Sequence, residues 1–511
     1  MQKYFCITIS ILMLAMISPA YPQAAPADDP SKIIEILPII QFPNYRGMVV
    51  HGDNAPWQIK LEAHWSSKWT GKVISVNNTL TDVNGKVLLD NTIKQKPSDN
   101  ALDISLQPPK GLPLGNYKLK IMITEPNSKQ FQSNAIIRVV EEMPRVYVDA
   151  QGFTVVEGKR FFPMGLYLGG GFNTEDDLKR ISEGGFNTIL SYSYGNAQKP
   201  TKKEFMGLAQ KYNLKVVYSL KDLYPGKDGE RAEAFDWAAS IIKAVKEEPA
   251  MLAWYTNDEL GRERIPELRE MYKMVKELDD NHYPTLMVQN KLYDMKLESP
   301  YTDVIGADPY PVGNVTYGKG TLTMSSSWTR SMSNTSQSAK GIWMVPQIMD
   351  WAVYNKDWKS HQPSLEEMRN QAYQTIINGA TGLIFYSYFD LWSVDNSRKA
   401  DKATFDKRWP DVVAMAQEIN RITPVVLKNN KVNLELPEKP EVEAAAWQDD
   451  KKLLILLANP YYEQKNITFA LPDGWKINDA NQGQIKSTFA NGKVTFTLPS
   501  VGSGVFQLEK K

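Results

Sequence analysis

Apolar runs of strand length alternate with amphipathic helical segments through the middle of the chain. Eight such runs suit a (β/α)8 barrel, a TIM barrel, which typically takes about 250 residues. The predicted strands lie at residues 161–168, 186–192, 215–220, 252–257, 285–288, 303–307, 341–347 and 382–388. The clearest helical patterns lie between them, at residues 174–183, 202–212, 232–247 and 265–278.

A doubly wound parallel sheet gives the same alternation of strands and helices. In that fold, however, polar strand ends gather around one switch point, whereas here they follow many of the strands. The glycine run at residues 169–171 also lacks the spacing of a dinucleotide-binding fingerprint. We therefore predict a barrel for residues 146–427.

Both ends of the chain show the alternation of apolar and polar residues that is typical of β-strands. Residues 57–63 and 117–123 alternate between apolar and polar side chains, and turn signals such as Asn84-Gly85 separate runs of this kind. A hairpin turn is predicted at Asn491-Gly492. We expect an immunoglobulin-like β-sandwich at residues 33–142 and a second β-sandwich at residues 430–511. The chain is thus predicted to be multidomain, with α/β and β parts.

The N-terminus has the features of an export signal. Lys3 gives a basic start, residues 6–17 are apolar, and small residues up to Ala24 suit cleavage. The apolar part is shorter than the roughly 20 residues of a membrane-spanning helix. We predict a signal peptide at residues 1–24, export to the periplasm or the extracellular space, and no membrane segment after cleavage. Cys6, the only cysteine, would be removed, so no disulfide or thiolate metal site is expected.

Charge and composition limit the classes of partner that the chain is expected to bind. The 59 basic and 58 acidic side chains give a formal charge of +1, so nothing favours nucleic acid. Thirteen Trp and 24 Tyr supply flat rings that either fill cores or stack on ligands. The histidines show no i, i+4 pair for zinc, and no Gly-x-Ser-x-Gly elbow is present. No metal or cofactor is predicted, and the oligomeric state stays open.

Polar and aromatic side chains follow the predicted strands at their carboxyl ends, where barrel enzymes hold their active sites. The fourth strand ends in Asn257, Asp258 and Glu259, although adjacent acids also suit the start of the next helix. The candidates on the other strand ends are Tyr192, Gln289, Asp308, Tyr310, Gln347, Asp350, Trp351, Tyr386, Tyr388, Asp390 and Trp392.

Packing alone explains any single one of these aromatic residues. Carboxylates, amides and flat rings on one rim are, however, what a carbohydrate site requires. Sugar hydroxyls need hydrogen-bond donors and acceptors, and the C–H face of a pyranose packs on aromatic rings. We therefore expect the candidates to bind a carbohydrate substrate.

The barrel region also resembles the clan A glycoside hydrolases, a superfamily that includes β-galactosidases and β-mannosidases. The resemblance rests on residues 158–165 (GKRFFPMG), 185–187 (GFN) and 254–259 (WYTNDE). In that clan the fourth strand ends in Asn-Glu, and the glutamate is the general acid/base. The resemblance implies this role for Glu259, with Asp258 standing between it and Asn257. Flanking β-sandwiches are also common in that clan.

The clan places a nucleophilic glutamate at the end of the seventh strand, where this chain has Gln347. An amide cannot form a glycosyl ester, so three explanations stay open. Another carboxylate, Asp350 first and then Asp308 or Asp390, could take its place; carboxyl separations of about 5–5.5 Å indicate retention and about 6.5–9.5 Å inversion. Asp258 and Glu259 could instead resemble the Asp-Glu pair of substrate-assisted hexosaminidases, in which the aspartate orients a substrate acetamido group. Finally, the barrel could bind glycans without hydrolysing them.

A general acid near neutral pH needs a raised pKa, which burial or a neighbouring charge supplies. Asp258 would supply such a charge to Glu259 only if both side chains faced the site. Successive strand residues point to opposite faces, so this requires a bulge or the start of a loop. We predict an exported glycoside hydrolase that cleaves O-glycosidic bonds of a poly- or oligosaccharide.

Overall fold

The structure is a computed structural model. It describes residues 36–63, 72–97, 101–124, 130–169, 171–192, 200–226, 232–314, 320–355, 360–471, 475–477 and 485–510. The predicted signal peptide, residues 1–24, lies outside these described residues.

The described residues between 36 and 140 form strands and no helix, as predicted. The strands are β1 (Ile36–Phe42), β2 (Met48–Val50), β3 (Trp57–Ala63), β4 (Ile74–Thr81), β5 (Val87–Gln95), β6 (Ala101–Leu106), β7 (Gly115–Thr124) and β8 (Gln130–Val140). They make two sheets, in the orders β1-β3-β6 and β2-β8-β7-β4-β5. Buried side chains from both sheets, such as Ile59, Val76 and Ile121, belong to one apolar core.

A small antiparallel sheet precedes the barrel, formed by β9 (Val146–Val148), β10 (Thr154–Val156) and β11 (Lys159–Phe161). Eight parallel strands then close into a barrel in chain order. They are β12 (Met164–Leu168), β13 (Thr188–Ser191), β14 (Lys215–Ser219), β15 (Met251–Asp258), β16 (Thr285–Gln289), β17 (Val304–Ala307), β18 (Gly341–Met344) and β19 (Gly382–Phe385). Because β12 pairs with both β13 and β19, the sheet has no free edge, and the predicted closed barrel is confirmed.

Helices cover the outside of the barrel. They are α1 (Glu175–Glu183), α2 (Lys202–Lys211), α3 (Ala234–Val245), α4 (Ile265–Leu278), α5 (Leu292–Glu298), α6 (Thr323–Ser336), α7 (Leu365–Ile377) and α8 (Lys402–Lys428). Thr174, Thr201 and Ser364 form capping boxes, which explains where α1, α2 and α7 begin. Among the residues that the structure describes, no helix is both long and apolar enough to cross a membrane.

The C-terminal part is again built of strands. They are β20 (Lys431–Val432), β21 (Glu443–Asp449), β22 (Lys452–Ala458), β23 (Lys465–Ala470), β24 (Trp475–Ile477), β25 (Lys486–Ala490), β26 (Lys493–Leu498) and β27 (Ser503–Lys510). Two sheets result, β20-β21-β22-β27-β24 and β23-β26-β25. The predicted hairpin turn is confirmed: Asn491 and Gly492 have φ angles of 51° and 74° and join β25 to β26. Sheets thus lie on both sides of the barrel in the chain, and their arrangement as β-sandwiches stays a prediction.

Candidate active site

Both acids at the end of β15 reach one site because the strand is irregular there. Its pairing with β16 shifts register between Tyr255 and Asn257, which accommodates one extra residue. Glu259 then adopts a left-handed backbone conformation with a φ of 59°. Such irregularities re-aim side chains. As a result the charge of Asp258 acts on Glu259 and raises its pKa.

Asp258 is surrounded by donors. The hydroxyls of Tyr192 and Tyr255 donate to its two carboxylate oxygens, at 2.7 and 2.6 Å. Lys221 Nζ lies 3.4 Å from Asp258 Oδ2 and 4.1 Å from the centre of the Tyr192 ring. Each carboxylate oxygen thus accepts one hydroxyl, and the contacts fix the side chain beside Glu259.

Glu259 and Asp308 form a carboxyl pair that shares a hydrogen bond. Asp308 follows β17 and is buried, which raises its pKa well above the ordinary value; the charge of Glu259 raises it further. Glu259 reaches solvent, but neighbouring protein groups displace much of its water, and this desolvation raises its pKa. The hydrogen bond with Asp308 and the charge of Lys291 act in the opposite direction without reversing the shift. Burial and mutual contact thus raise the pKa of both carboxyls and favour a proton held between them.

Aromatic rings surround these acids. The tyrosine cluster consists of Tyr167, Tyr192, Tyr255, Tyr310 and Tyr386. Ring centres lie 5.3 Å apart for Tyr167 and Tyr192, and 5.5 Å apart for Tyr310 and Tyr386. Trp351 meets Tyr310 edge-on at 6.0 Å. Tyr192, Tyr310 and Tyr386 are partly exposed, so they offer rings on which a sugar can stack.

Asn257 and Gln289, predicted to bind substrate, instead lie beneath the site and are fully buried. Their amide nitrogens donate to Glu298 Oε2, at 3.4 Å from Asn257 and 2.8 Å from Gln289. Asn257 Oδ1 also accepts the Leu260 N–H at 2.9 Å, and Gln289 donates to the Leu260 carbonyl. The two amides therefore hold the segment that follows Glu259.

Gln347, which follows β18, is also fully buried. Its Oε1 accepts the Val312 N–H at 2.9 Å, while its Nε2 donates to the carbonyls of Val312 and Met349, both at 3.0 Å. The amide thus braces the loop after β17, and these bonds use its hydrogen-bonding groups.

Asp350 and Asp390, two of the candidates for the second carboxylate, have other partners. Asp350 caps the short 3-10 helix Trp351–Val353 and accepts the Ser360 hydroxyl at 2.5 Å. Asp390 is buried and accepts the hydroxyls of Ser387 and Tyr354 at 2.6 and 2.8 Å. The carboxyl placed against Glu259 is therefore that of Asp308, not that of the preferred candidate Asp350.

Tyr388 and Trp392 lie outside the barrel wall, against α1 and α8, and not in the site. The Tyr388 hydroxyl is buried, accepts from Arg180 at 2.8 Å and donates to Asp177 at 2.9 Å. Trp392 stacks on Phe405 at 4.0 Å and on Phe172 at 5.2 Å. Since these rings cover its faces, Trp392 has no face to offer a sugar.

Comparison with solved structures bears on the fold. One glycoside hydrolase has a TM-score of 0.50 at 13% identity, over 72% of this chain and 97% of its own. The barrel fold is shared with glycoside hydrolases. A family 39 glycoside hydrolase from the gut symbiont Bacteroides cellulosilyticus WH2 has a TM-score of 0.45 at 14% identity, over 91% of this chain and 99% of its own. An uncultured Clostridium β-glucuronidase has a TM-score of 0.37 at 14% identity, covering 70% and 66%. No family model and no curated protein matches the chain.

Four residues of the site and its support are not among the candidates that the sequence indicates. Tyr167 and Tyr255 lie inside strands, where an aromatic residue usually indicates packing. Lys221 lies two residues after β14, so its place near a strand end was the available signal. Nothing in the sequence marks Glu298, the last residue of α5. Within the described part of the chain, no group of three or more His, Cys, Asp or Glu residues is arranged to hold a metal ion.

Proposed function

We propose that this protein is a glycoside hydrolase that cleaves O-glycosidic bonds of an oligo- or polysaccharide, with Glu259 as general acid/base. The observation that carries the proposal is the hydrogen-bonded Glu259–Asp308 pair at the C-terminal rim of the barrel. Protonation of a glycosidic oxygen near neutral pH needs a carboxyl that keeps its proton. The tyrosine cluster beside the pair supplies rings for a sugar. Fold likeness alone fixes no chemistry.

The pair suits both halves of acid/base catalysis. Glu259, the member that reaches solvent, delivers the shared proton to the leaving oxygen. Both carboxyls are then charged, and like charges in contact oppose each other. In a two-step reaction, in which the substrate's own acetamido oxygen holds the glycosyl group after the leaving group departs, Glu259 is then driven to take a proton from the attacking water.

A second candidate is substrate-assisted hydrolysis, which the surroundings of Asp258 favour. A hydrogen bond brings the oxygens of Glu259 and Asp308 to about 2.5–3.0 Å, well inside the roughly 5–5.5 Å that separates the carboxyls of retaining enzymes. Tyr192 and Tyr255 hold Asp258 beside the acid, and from there it would orient a substrate acetamido group. The acetamido oxygen would then replace the missing strand-seven nucleophile.

We also propose the division of the chain that the sequence predicts. Residues 33–142 and 430–511 would be β-sandwich domains around a catalytic barrel at residues 146–427, since each flank has two sheets over one apolar core. Residues 1–24 would direct export to the periplasm or the extracellular space. Limited proteolysis tests the domain boundaries, and N-terminal sequencing of the exported protein tests the cleavage site.

A panel of glycosides with and without a 2-acetamido group tests the function. Glu259→Gln should lower kcat on the active substrate by about 10²–10⁴-fold, because general acid catalysis contributes on that order. The matched control is Glu263→Gln, an exposed carboxylate on the same loop, which should leave kcat unchanged. Turnover restricted to acetamido sugars would select substrate assistance. Glycan binding without turnover across the panel would reject hydrolysis and leave glycan binding as the function.

A further inference from the structure

The segment that presents Glu259 has an unfavourable backbone conformation. The φ of Glu259 is 59°, in the left-handed region, which residues with a Cβ atom seldom adopt. Such a conformation persists only where surrounding groups over-determine it, and it is common at functional sites. The groups that impose it are therefore part of how the acid is positioned.

Those groups converge on the main chain of Leu260. Its N–H donates to Asn257 Oδ1 at 2.9 Å, and its carbonyl accepts from Gln289 Nε2. The amide nitrogens of both residues donate to one atom, Glu298 Oε2, at 3.4 and 2.8 Å. One oxygen of Glu298 thus accepts from both amides, and each amide also hydrogen-bonds to the main chain of Leu260, the residue after Glu259. We call Asn257, Gln289, Glu298 and the Leu260 main chain the Glu298 clamp.

We propose that Glu298 is a positioning residue, which fixes the left-handed Glu259 segment through Asn257 and Gln289. It is fully buried at the end of α5, so it acts through the two amides and not on a substrate. The proposal rests on the proposed function, in which Glu259 is the acid/base. It extends that function by assigning a task to two amides that the sequence alone assigned to substrate binding.

The clamp needs an acceptor oxygen at position 298 and not a charge. Burial raises the pKa of Glu298 to about 7, and Asp294 and Glu263 add to the rise, against the Gln289 amide and Lys291. A protonated carboxyl still offers a carbonyl oxygen to the amides. Glutamine offers the same oxygen, whereas methionine has a similar length and no comparable acceptor. Two substitutions therefore separate the hydrogen bonds from the volume of the side chain.

Steady-state kinetics on a cleaved glycoside provide the first test. Glu298→Gln should keep kcat within about threefold of the natural protein, since it keeps the acceptor. Glu298→Met should lower kcat about 100-fold while KM changes less than about threefold, because misplacement of the acid affects mainly the transition state. The control is Asp279→Asn, a buried carboxyl at the opposite end of the barrel, which accepts from Trp254 Nε1 at 2.8 Å and should leave kcat unchanged. Full activity in Glu298→Met would overturn the proposal.

Hydrogen exchange of the Leu260 amide supplies a readout that needs no activity. Exchange should be at least tenfold faster in Glu298→Met, and unchanged in Glu298→Gln and Asp279→Asn. If the natural protein cleaves nothing, the proposed function fails while the exchange data still decide the clamp. Unchanged exchange in Glu298→Met rejects it.

A second route covers a Glu298→Met variant that folds poorly. Gln289→Met removes the hydrogen bonds of this amide to Glu298 and to the Leu260 carbonyl. It should lower kcat about as much as Glu298→Met does. The two substitutions together should cost little more than either alone, because residues in one hydrogen-bond network are not additive. Fully additive losses would show that the two residues act separately and would overturn the clamp.

Discussion

The charge of Glu259 depends on its contact with Asp308, and this makes the pH profile the most direct measurement at the scale of single residues. The charge of Glu259 raises the pKa of Asp308, because loss of the last proton from the pair leaves two carboxylates in contact. Asp308→Asn leaves Glu259 beside a neutral amide, so the raised pKa for the last proton of the pair is lost and the pKa that governs the acid should fall. Because the general acid must be protonated, activity is lost as pH rises through that pKa.

The expected outcome for Asp308→Asn is therefore an alkaline limb of kcat/KM displaced to lower pH by about one unit or more. A set of rates between pH 4 and pH 10 measures it. Glu263→Gln, which changes a nearby exposed carboxylate, should not move the limb. A limb that stays in place or moves to higher pH would mean that Asp308 does not set the protonation of the acid.

The order of residues along the chain is enough to indicate Asp258, Glu259 and Asp308, because parallel strands end at one rim. The environments of these and neighbouring side chains could not be predicted in the same way. Asn257 and Gln347 have the polarity of ligand-binding residues, yet both form their hydrogen bonds with other groups of the protein. Which way an amide turns depends on the bulge in β15 and on the loop after β17, and neither leaves a local pattern in the sequence.

At the scale of elements, the residues after β19 divide between two sides of the barrel wall. Tyr386 belongs to the tyrosine cluster, whereas Tyr388 is buried against α1 and α8. Tyr386→Ala should raise KM or the Kd for a glycan about three- to tenfold, the scale of an aromatic contact. Tyr388→Ala should leave KM unchanged and lower the thermal midpoint, since deletion of a buried ring typically costs about 3–5 kcal/mol.

Titration calorimetry and thermal unfolding of both variants check this prediction. The pair is internally matched, because each residue is a tyrosine that follows the same strand, β19. Weaker glycan binding in Tyr388→Ala with an unchanged thermal midpoint would contradict the division.

The elements themselves were largely predictable. All eight barrel strands are present, and the predicted helix at residues 265–278 coincides with α4. The predictions were wrong at the ends of two strands. Residues 341–347 and 382–388 were predicted as strands, but β18 stops at Met344 and β19 at Phe385. Val345 and Tyr388 are buried after the strands have ended. An apolar run therefore marks burial, and it does not distinguish the end of a strand from a buried loop.

At the scale of the whole molecule, a buried ion pair joins the N-terminal part to the barrel. Arg46, between β1 and β2, lies 2.9 Å from Asp303, directly before β17, with side chains 1% and 5% exposed. Tyr272 Oη and the Thr285 N–H also donate to this carboxylate, at 2.8 and 3.0 Å. No sequence pattern could pair residues so far apart in the chain, and this is why the contact was not predictable.

Removal of either partner should destabilise the molecule strongly, because it leaves the other charge buried and uncompensated, at a typical cost of about 3–5 kcal/mol. Arg46→Met should therefore lower the midpoint of at least one thermal transition by several degrees, and the same change at the exposed Lys179–Glu183 pair, Lys179→Met, should have almost no effect. Burial opposes the charge of Asp303, but Arg46 outweighs it and holds the pKa of Asp303 below its ordinary value of 3.8. The contribution of the pair to stability is thus present above about pH 4 and lost as pH falls through the lowered pKa. The difference in thermal midpoint between the natural protein and Arg46→Met should therefore narrow in acid. Equal midpoints for the two proteins at pH 7 would show that the pair does not stabilise the joint between the N-terminal sheets and the barrel.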